Sequence, residues 1–114
     1  GTPYEADFDG AILFMEDVSE PPYSVDRMLT HLWLTGHLEQ TAGIVFGKFT
    51  DDDYDSNTLS MEQVLRERCE PLGIPTLRGA MIGHVEDQTV VPIGVNARLD
   101  VDEGTLKLLE PAVR

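Results

Sequence analysis

Short apolar runs at Ala11-Ile12-Leu13-Phe14-Met15, Ala42-Gly43-Ile44-Val45-Phe46-Gly47 and Thr76 to Ile82 alternate with two segments whose apolar residues recur at helical spacing. In the first of these, Val25, Met28, Leu29, Leu32 and Trp33 share a face, with Ser24 as the expected N-cap and Gly36 as the stop. The second has a capping box, Ser60 with Gln63 three residues on, an apolar stripe of Met61, Val64, Leu65 and Cys69, and Pro71 and Gly73 as terminators. A βαβαβ order of this kind implies parallel strands joined by right-handed crossovers, with the helices packed on the sheet. Continuous apolar runs further imply strands buried on both faces. Beyond residue 88 the pattern becomes β-like, over Thr89 to Val95, Ala97 to Val101 and Thr105 to Leu109, with a turn at Asp102-Glu103-Gly104. The expected architecture is one compact α/β unit, a βαβαβ core closed by a C-terminal β-hairpin.

Charge narrows the function classes. Eight basic against twenty-one acidic side chains leave a net −13 over 114 residues, which repels phosphate backbones and anionic membrane surfaces and makes nucleic acid and membrane unexpected partners. No apolar run approaches the roughly 20 residues of a membrane span. The single cysteine, Cys69, cannot close an intrachain disulfide and fits a reducing compartment.

Parallel α/β sheets collect functional groups at the carboxyl ends of their strands. Glu16 ends the first strand and His84 follows the third, so a carboxylate and an imidazole can meet there as the orienting acid and general base of acyl transfer. No serine lies in a nucleophile-elbow pattern, and Cys69 sits on a helix stripe as inert packing. The nucleophile is therefore expected from outside this sequence. Asp17, one residue on from Glu16, points to the opposite face and is expected as a loop partner. Asp51, Asp53, Asp55 and Glu62 match positions of a calcium loop, but Ser56 stands where glycine is needed and no helix precedes it, so a solvated acidic loop is expected and no metal. His31 lies off the apolar stripe, and His37 is expected to favour the C-terminal end of the preceding helix.

The blocks Gly10 to Val18, Pro22 to Leu29, Gly43 to Phe49, Gly83-His84 and Pro92 to Ala97 together resemble, in order, the C-terminal half of the LD-carboxypeptidase family, which includes the microcin-immunity peptidases. The resemblance implies a swivelling β/β/α-type domain spanning residues 1–114, and a cytoplasmic serine peptidase with a Ser-His-Glu triad. Its substrate would be a murein peptide, cut between an L-centre and a terminal D-amino acid, with no cofactor or metal. Carried over, the triad glutamate is Glu16 and the histidine His84. The serine and oxyanion donors belong to the family's N-terminal domain, which has no counterpart here and becomes an expected partner. The fragment alone is expected to be inactive. An edge normally covered by that domain exposes apolar surface, so a homo-oligomer is expected. Two other functions stay open: an immunity-type peptidase acting on aminoacyl-nucleotide antibiotics, and a non-catalytic acidic binding module.

Overall fold

The computed structural model describes residues 2–50 and 58–113. Strands β1 (Ile12–Met15), β2 (Gly43–Gly47) and β3 (Thr76–Ala80) form a parallel sheet in the order β1-β2-β3. Helices α1 (Pro22–Leu34) and α2 (His37–Gln40) connect β1 to β2, and α3 (Met61–Cys69) with a short 3-10 turn at Glu70–Leu72 leads into β3. Strands β4 (Ala97–Asp100) and β5 (Thr105–Leu108) make an antiparallel hairpin. The mixed α/β class and the closing hairpin agree with the sequence reading.

Alternation along β2 divides the molecule into layers. Ile44 and Phe46 point into a core made with Val25 and Leu29 of α1, Leu38 of α2, and Met61, Val64, Leu65 and Cys69 of α3. Leu13 and Met15, paired with Ile44 and Phe46, pack against the same core. Both crossovers run in the same direction, from β1 to β2 to β3, and the shared core places α1 and α3 together on this face. Gly43, Val45 and Gly47 face the other way, and at Gly43 this is the face that the hairpin covers. Leu99 of β4 sits over Gly43, where a Cβ would lie 2.8 Å from the leucine Cδ2. The result is a hairpin, a sheet and a helical layer.

Helix α3 starts as its sequence directs. Ser60 Oγ accepts from the Gln63 backbone N–H at 3.2 Å, and Gln63 Oε1 accepts from the Ser60 N–H at 2.9 Å. These two bonds satisfy donors that the first helical turn would leave open. Arg68 ties α3 to α1 through two hydrogen bonds to Asp26, at 2.5 and 3.2 Å.

Several expectations are corrected. Helix α1 begins at Pro22, with Pro21 as N-cap and no side-chain cap, because proline is preorganised for the first helical position; Ser24 is buried inside the first turn. Only β2 is buried throughout, since β1 and β3 are sheet edges and remain partly open. Met28 and Trp33 lie at the margin of the helical stripe, 41% and 47% exposed. Thr89 to Val95 forms no strand, because Pro92 removes a donor and no ladder lies beside it. The acidic residues Asp51, Asp53 and Asp55, with Ser56, lie outside the described residues. Among those described, no cluster of three or more His, Cys, Asp or Glu could hold a metal ion, and no helix is long and apolar enough to cross a membrane.

Candidate active site

Glu16 leaves the carboxyl end of β1, two residues beyond Phe14 and therefore on the hairpin-side face. His84 belongs to the loop that follows β3. Because β2 lies between the two edge strands, the side chains can meet only above its last residue. Two features make that possible. Phe46 pairs with Arg78 but Gly47 pairs with Ala80, leaving Gly79 as an additional residue in β3, at φ +84°. Such a bulge bends its strand and re-aims the residues beyond it. The chain after Ala80 then folds back over β2, where the Lys48 N–H donates to the Ile82 carbonyl at 3.2 Å, and the loop closes with the Thr89 N–H donating to Met81 O at 2.7 Å.

The second feature is the absence of a side chain at Gly47, which lets Glu16 and the Ile82 carbonyl both lie against the end of β2. Glu16 Oε2 thereby reaches His84 Nδ1 at 2.9 Å, a hydrogen bond and an ion pair when the imidazole is protonated. The side chain of Glu16 is 24% exposed and that of His84 is 61% exposed, so the carboxylate is partly sheltered and the imidazole faces outward. Donation from Nδ1–H to the carboxylate leaves the Nε2 lone pair open, the tautomer that a general base requires. Phe14, Glu16, Ile82, Gly83, His84 and Gln88 line an open concavity of about 650 Å³ at this edge.

The model of the family described as LD-carboxypeptidase C-terminal domain matches residues 1–99. The chain belongs to the LD-carboxypeptidase family. A Bacillus subtilis protein named "Probable murein peptide carboxypeptidase" is 42% identical over 107 residues, covering 92% of this chain and 34% of that protein. The crystal structure of muramoyltetrapeptide carboxypeptidase from Oxalobacter formigenes superposes with TM-score 0.84 at 34% identity, over 95% of this chain and 39% of that one. The microcin C7 self-immunity protein MccF, from Escherichia coli, solved in complex with glutamyl sulfamoyl guanosine, gives TM-score 0.83 at 26% identity, over 93% of this chain and 32% of that one. The chain thus spans about a third of the length of the curated relatives it matches.

The remaining sequence candidates of this LD-carboxypeptidase-family chain fall elsewhere. Asp17 Oδ1 accepts from the Val18 N–H at 2.7 Å and lines an apolar groove with Met28, Leu32 and Phe49, away from His84. His31 is exposed on α1. His37 follows Gly36, the left-handed residue just past the C-terminal end of α1, and opens the short helix α2. It stacks on Phe8 with ring centroids 4.4 Å apart, and its Nε2 meets Glu5 Oε1 at 2.6 Å, fastening the N-terminal segment to the helical layer. Cys69 is a free, buried thiol whose pKa burial pushes up to about 11. Residue-type reasoning did not single out Gly47 and Gly83. The available signal was a glycine directly after a fully apolar strand and another directly before the histidine.

Proposed function

We propose that this chain supplies the histidine and glutamate of a Ser-His-Glu triad in an LD-carboxypeptidase acting on murein peptides. The observation that carries the reading is the 2.9 Å contact between Glu16 and His84 at the carboxyl edge of the sheet, with the second imidazole nitrogen left open, in a chain of this family. The nucleophilic serine and the oxyanion donors belong to a segment outside this sequence, corresponding to the N-terminal part of the longer relatives. Met81 and Val90, exposed at the two ends of the loop carrying His84, offer apolar surface for that segment to cover. Left uncovered, this surface is expected to self-associate, which sedimentation at several concentrations measures. The setting is cytoplasmic, where the free thiol of Cys69 stays reduced.

In the reaction, the seryl oxygen attacks the carbonyl carbon of the L,D-peptide bond while His84 Nε2 takes its proton. Glu16 holds the imidazole by Nδ1–H and stabilises the imidazolium that forms. His84 then delivers the proton to the leaving D-amino acid nitrogen as the C–N bond breaks. Water repeats the sequence on the acyl-enzyme, with His84 again taking and returning a proton. A second reading, hydrolysis of aminoacyl sulfamoyl nucleotides, is favoured by the likeness to MccF, but the higher identity to the Oxalobacter enzyme favours murein peptides.

The experiment compares an LD-tetrapeptide with an aminoacyl sulfamoyl nucleotide as substrates of the longer protein carrying the serine. Preferred release of the terminal D-amino acid, lost by orders of magnitude in His84→Ala, supports the proposal. Preference for the nucleotide conjugate replaces it with the second reading. The 114-residue chain by itself is expected to turn over neither, because imidazole and carboxylate without nucleophile or oxyanion hole cannot run acyl transfer.

A further inference from the structure

Glu16 approaches His84 through a gap walled on two sides by glycine. A Cβ on Gly83 would stand 2.7 Å from Glu16 Oε2 and 3.2 Å from both Glu16 Cβ and Cδ. A Cβ on Gly47 would stand 3.0 Å from Glu16 Cβ and 2.5 Å from the Ile82 carbonyl oxygen. Gly83 also has φ +113°, a backbone conformation that L side chains rarely adopt. By contrast, Gly10, Gly36, Gly73, Gly79, Gly94 and Gly104 also have positive φ, yet a Cβ on any of them meets nothing within 4 Å. Their glycines answer to backbone conformation alone. Gly83 answers in addition to the volume of the Glu16 side chain, and Gly47, whose φ is not positive, answers to that side chain and the Ile82 carbonyl.

We infer that Gly47 and Gly83 are positioning residues that form a cradle for Glu16, leaving the room by which its carboxylate crosses the end of β2 onto His84 Nδ1 and selects the Nδ1–H tautomer. The inference deepens the triad proposal and rests on it for its functional meaning, but its geometry is testable without substrate. The carboxylate spans from one edge strand to the loop beyond the other, and its only route lies over a backbone with no side chain. Any Cβ at position 83 stands 2.7 Å from Oε2, inside van der Waals contact, so the carboxylate must rotate away and the imidazole loses its orienting partner. His84 is largely exposed, so water then solvates both nitrogens and the tautomer reverts to the distribution of a free imidazole.

The test reads the imidazole ¹⁵N shifts of His84 in the 114-residue chain at alkaline pH, where the ring is neutral. Wild type is expected to show predominantly Nδ1–H, Glu16→Ala to lose that preference, and Gly83→Ala to lose it to the same degree. Gly73→Ala, which adds a Cβ at a distant positive-φ site where it meets nothing within 4 Å, is expected to leave the signature at the wild-type value. In a Glu16→Ala background, Gly83→Ala should cause no further change. If Gly83→Ala alone does not fold, the Glu16→Ala/Gly83→Ala double variant is expected to be more stable than the single one, because the Oε2 contact is gone while the φ +113° strain and the Cβ contact are common to both. A folded Gly83→Ala with the wild-type signature overturns the cradle, as does equal loss in Gly73→Ala or a double variant no more stable than Gly83→Ala. If the tautomer responds as expected but His84→Ala leaves peptidase activity intact in the longer protein, the triad proposal fails while the cradle stands.

Discussion

Replacing Glu16 by glutamine preserves side-chain size and removes one charge, so the loss it causes can be worked from the geometry. With Oε2 2.9 Å from Nδ1, the charge centres of carboxylate and imidazolium lie about 4 Å apart, where the attraction is about 1 kcal/mol in water and about 4 kcal/mol at an effective dielectric near 20. Glu16 is sheltered but His84 is not, so solvent screening pulls the value toward the middle, about 2 kcal/mol, or roughly 30-fold in kcat. The amide adds a second effect. If its NH2 turns toward Nδ1, it donates there and imposes the opposite tautomer, which in the serine-protease template raises the cost of an acid-to-amide change to about 10⁴. The expected outcome for Glu16→Gln in the longer protein is a kcat lowered by between roughly 30-fold and 10⁴-fold, with KM within about threefold. D-amino acid release from a murein tetrapeptide, followed over a range of substrate concentrations, measures both constants. A kcat within about threefold of wild type would refute the claim that Glu16 stabilises the imidazolium.

Three further outcomes concern stability. Asp26→Asn is expected to cost about 0.5–1 kcal/mol, because the bidentate contact with Arg68 is only partly sheltered; denaturant melts should show the difference shrinking in 1 M salt, and a salt-independent loss would assign it to packing. Ser60→Ala removes one half of the capping box and should cost about 1 kcal/mol, with Ser60→Gly costing less; equal stability of all three proteins would refute the cap's contribution. Burial raises the Cys69 thiol from its ordinary value near 8.5 to about 11, so between those values the unfolded chain has lost a proton that the folded chain keeps. Stability is therefore unaffected below that window and falls as pH rises through it, and Cys69→Val should remove that part of the slope while the native thiol resists alkylation at pH 8.

How much of this was legible in the residues depends on the range of the interaction concerned. The capping box of Ser60 and Gln63 is a contact between neighbours, and the apolar face of α3 follows from the period alone. The apolar runs mark the strands, but the equally apolar β1 is only half-buried while β2 is wholly buried, because position in the sheet decides burial. Helix α1 shows two local preferences in competition, in which the fixed φ of Pro22 wins over the hydroxyl of Ser24. Thr89 to Val95 has strand-like composition without a strand, because β-structure requires a partner that composition does not name. The Glu16–His84 contact lies between these cases. A parallel topology brings both residues to one sheet edge, but whether they touch depends on the strand order, the bulge at Gly79 and the bare end of β2. Those are non-local facts that neither the topology nor the family resemblance supplied; the two pointed only to the pair itself.

Strand β2 carries a consequence for mutational tolerance. Its residues 44 and 46 are packed among helices, so substitutions there lower stability roughly in proportion to the volume removed. Its residues 43 and 47 have no volume to lose, and what they contribute is emptiness: room for Leu99 at one end and for Glu16 at the other. Enlarging residue 43 pushes on the hairpin, whereas enlarging residue 47 pushes on an ionisable group and the loop that meets it. Along five consecutive residues, sensitivity to deletion of atoms in the middle is thus flanked by sensitivity to their addition at both ends, and the second kind changes from architectural to chemical between the strand's first residue and its last.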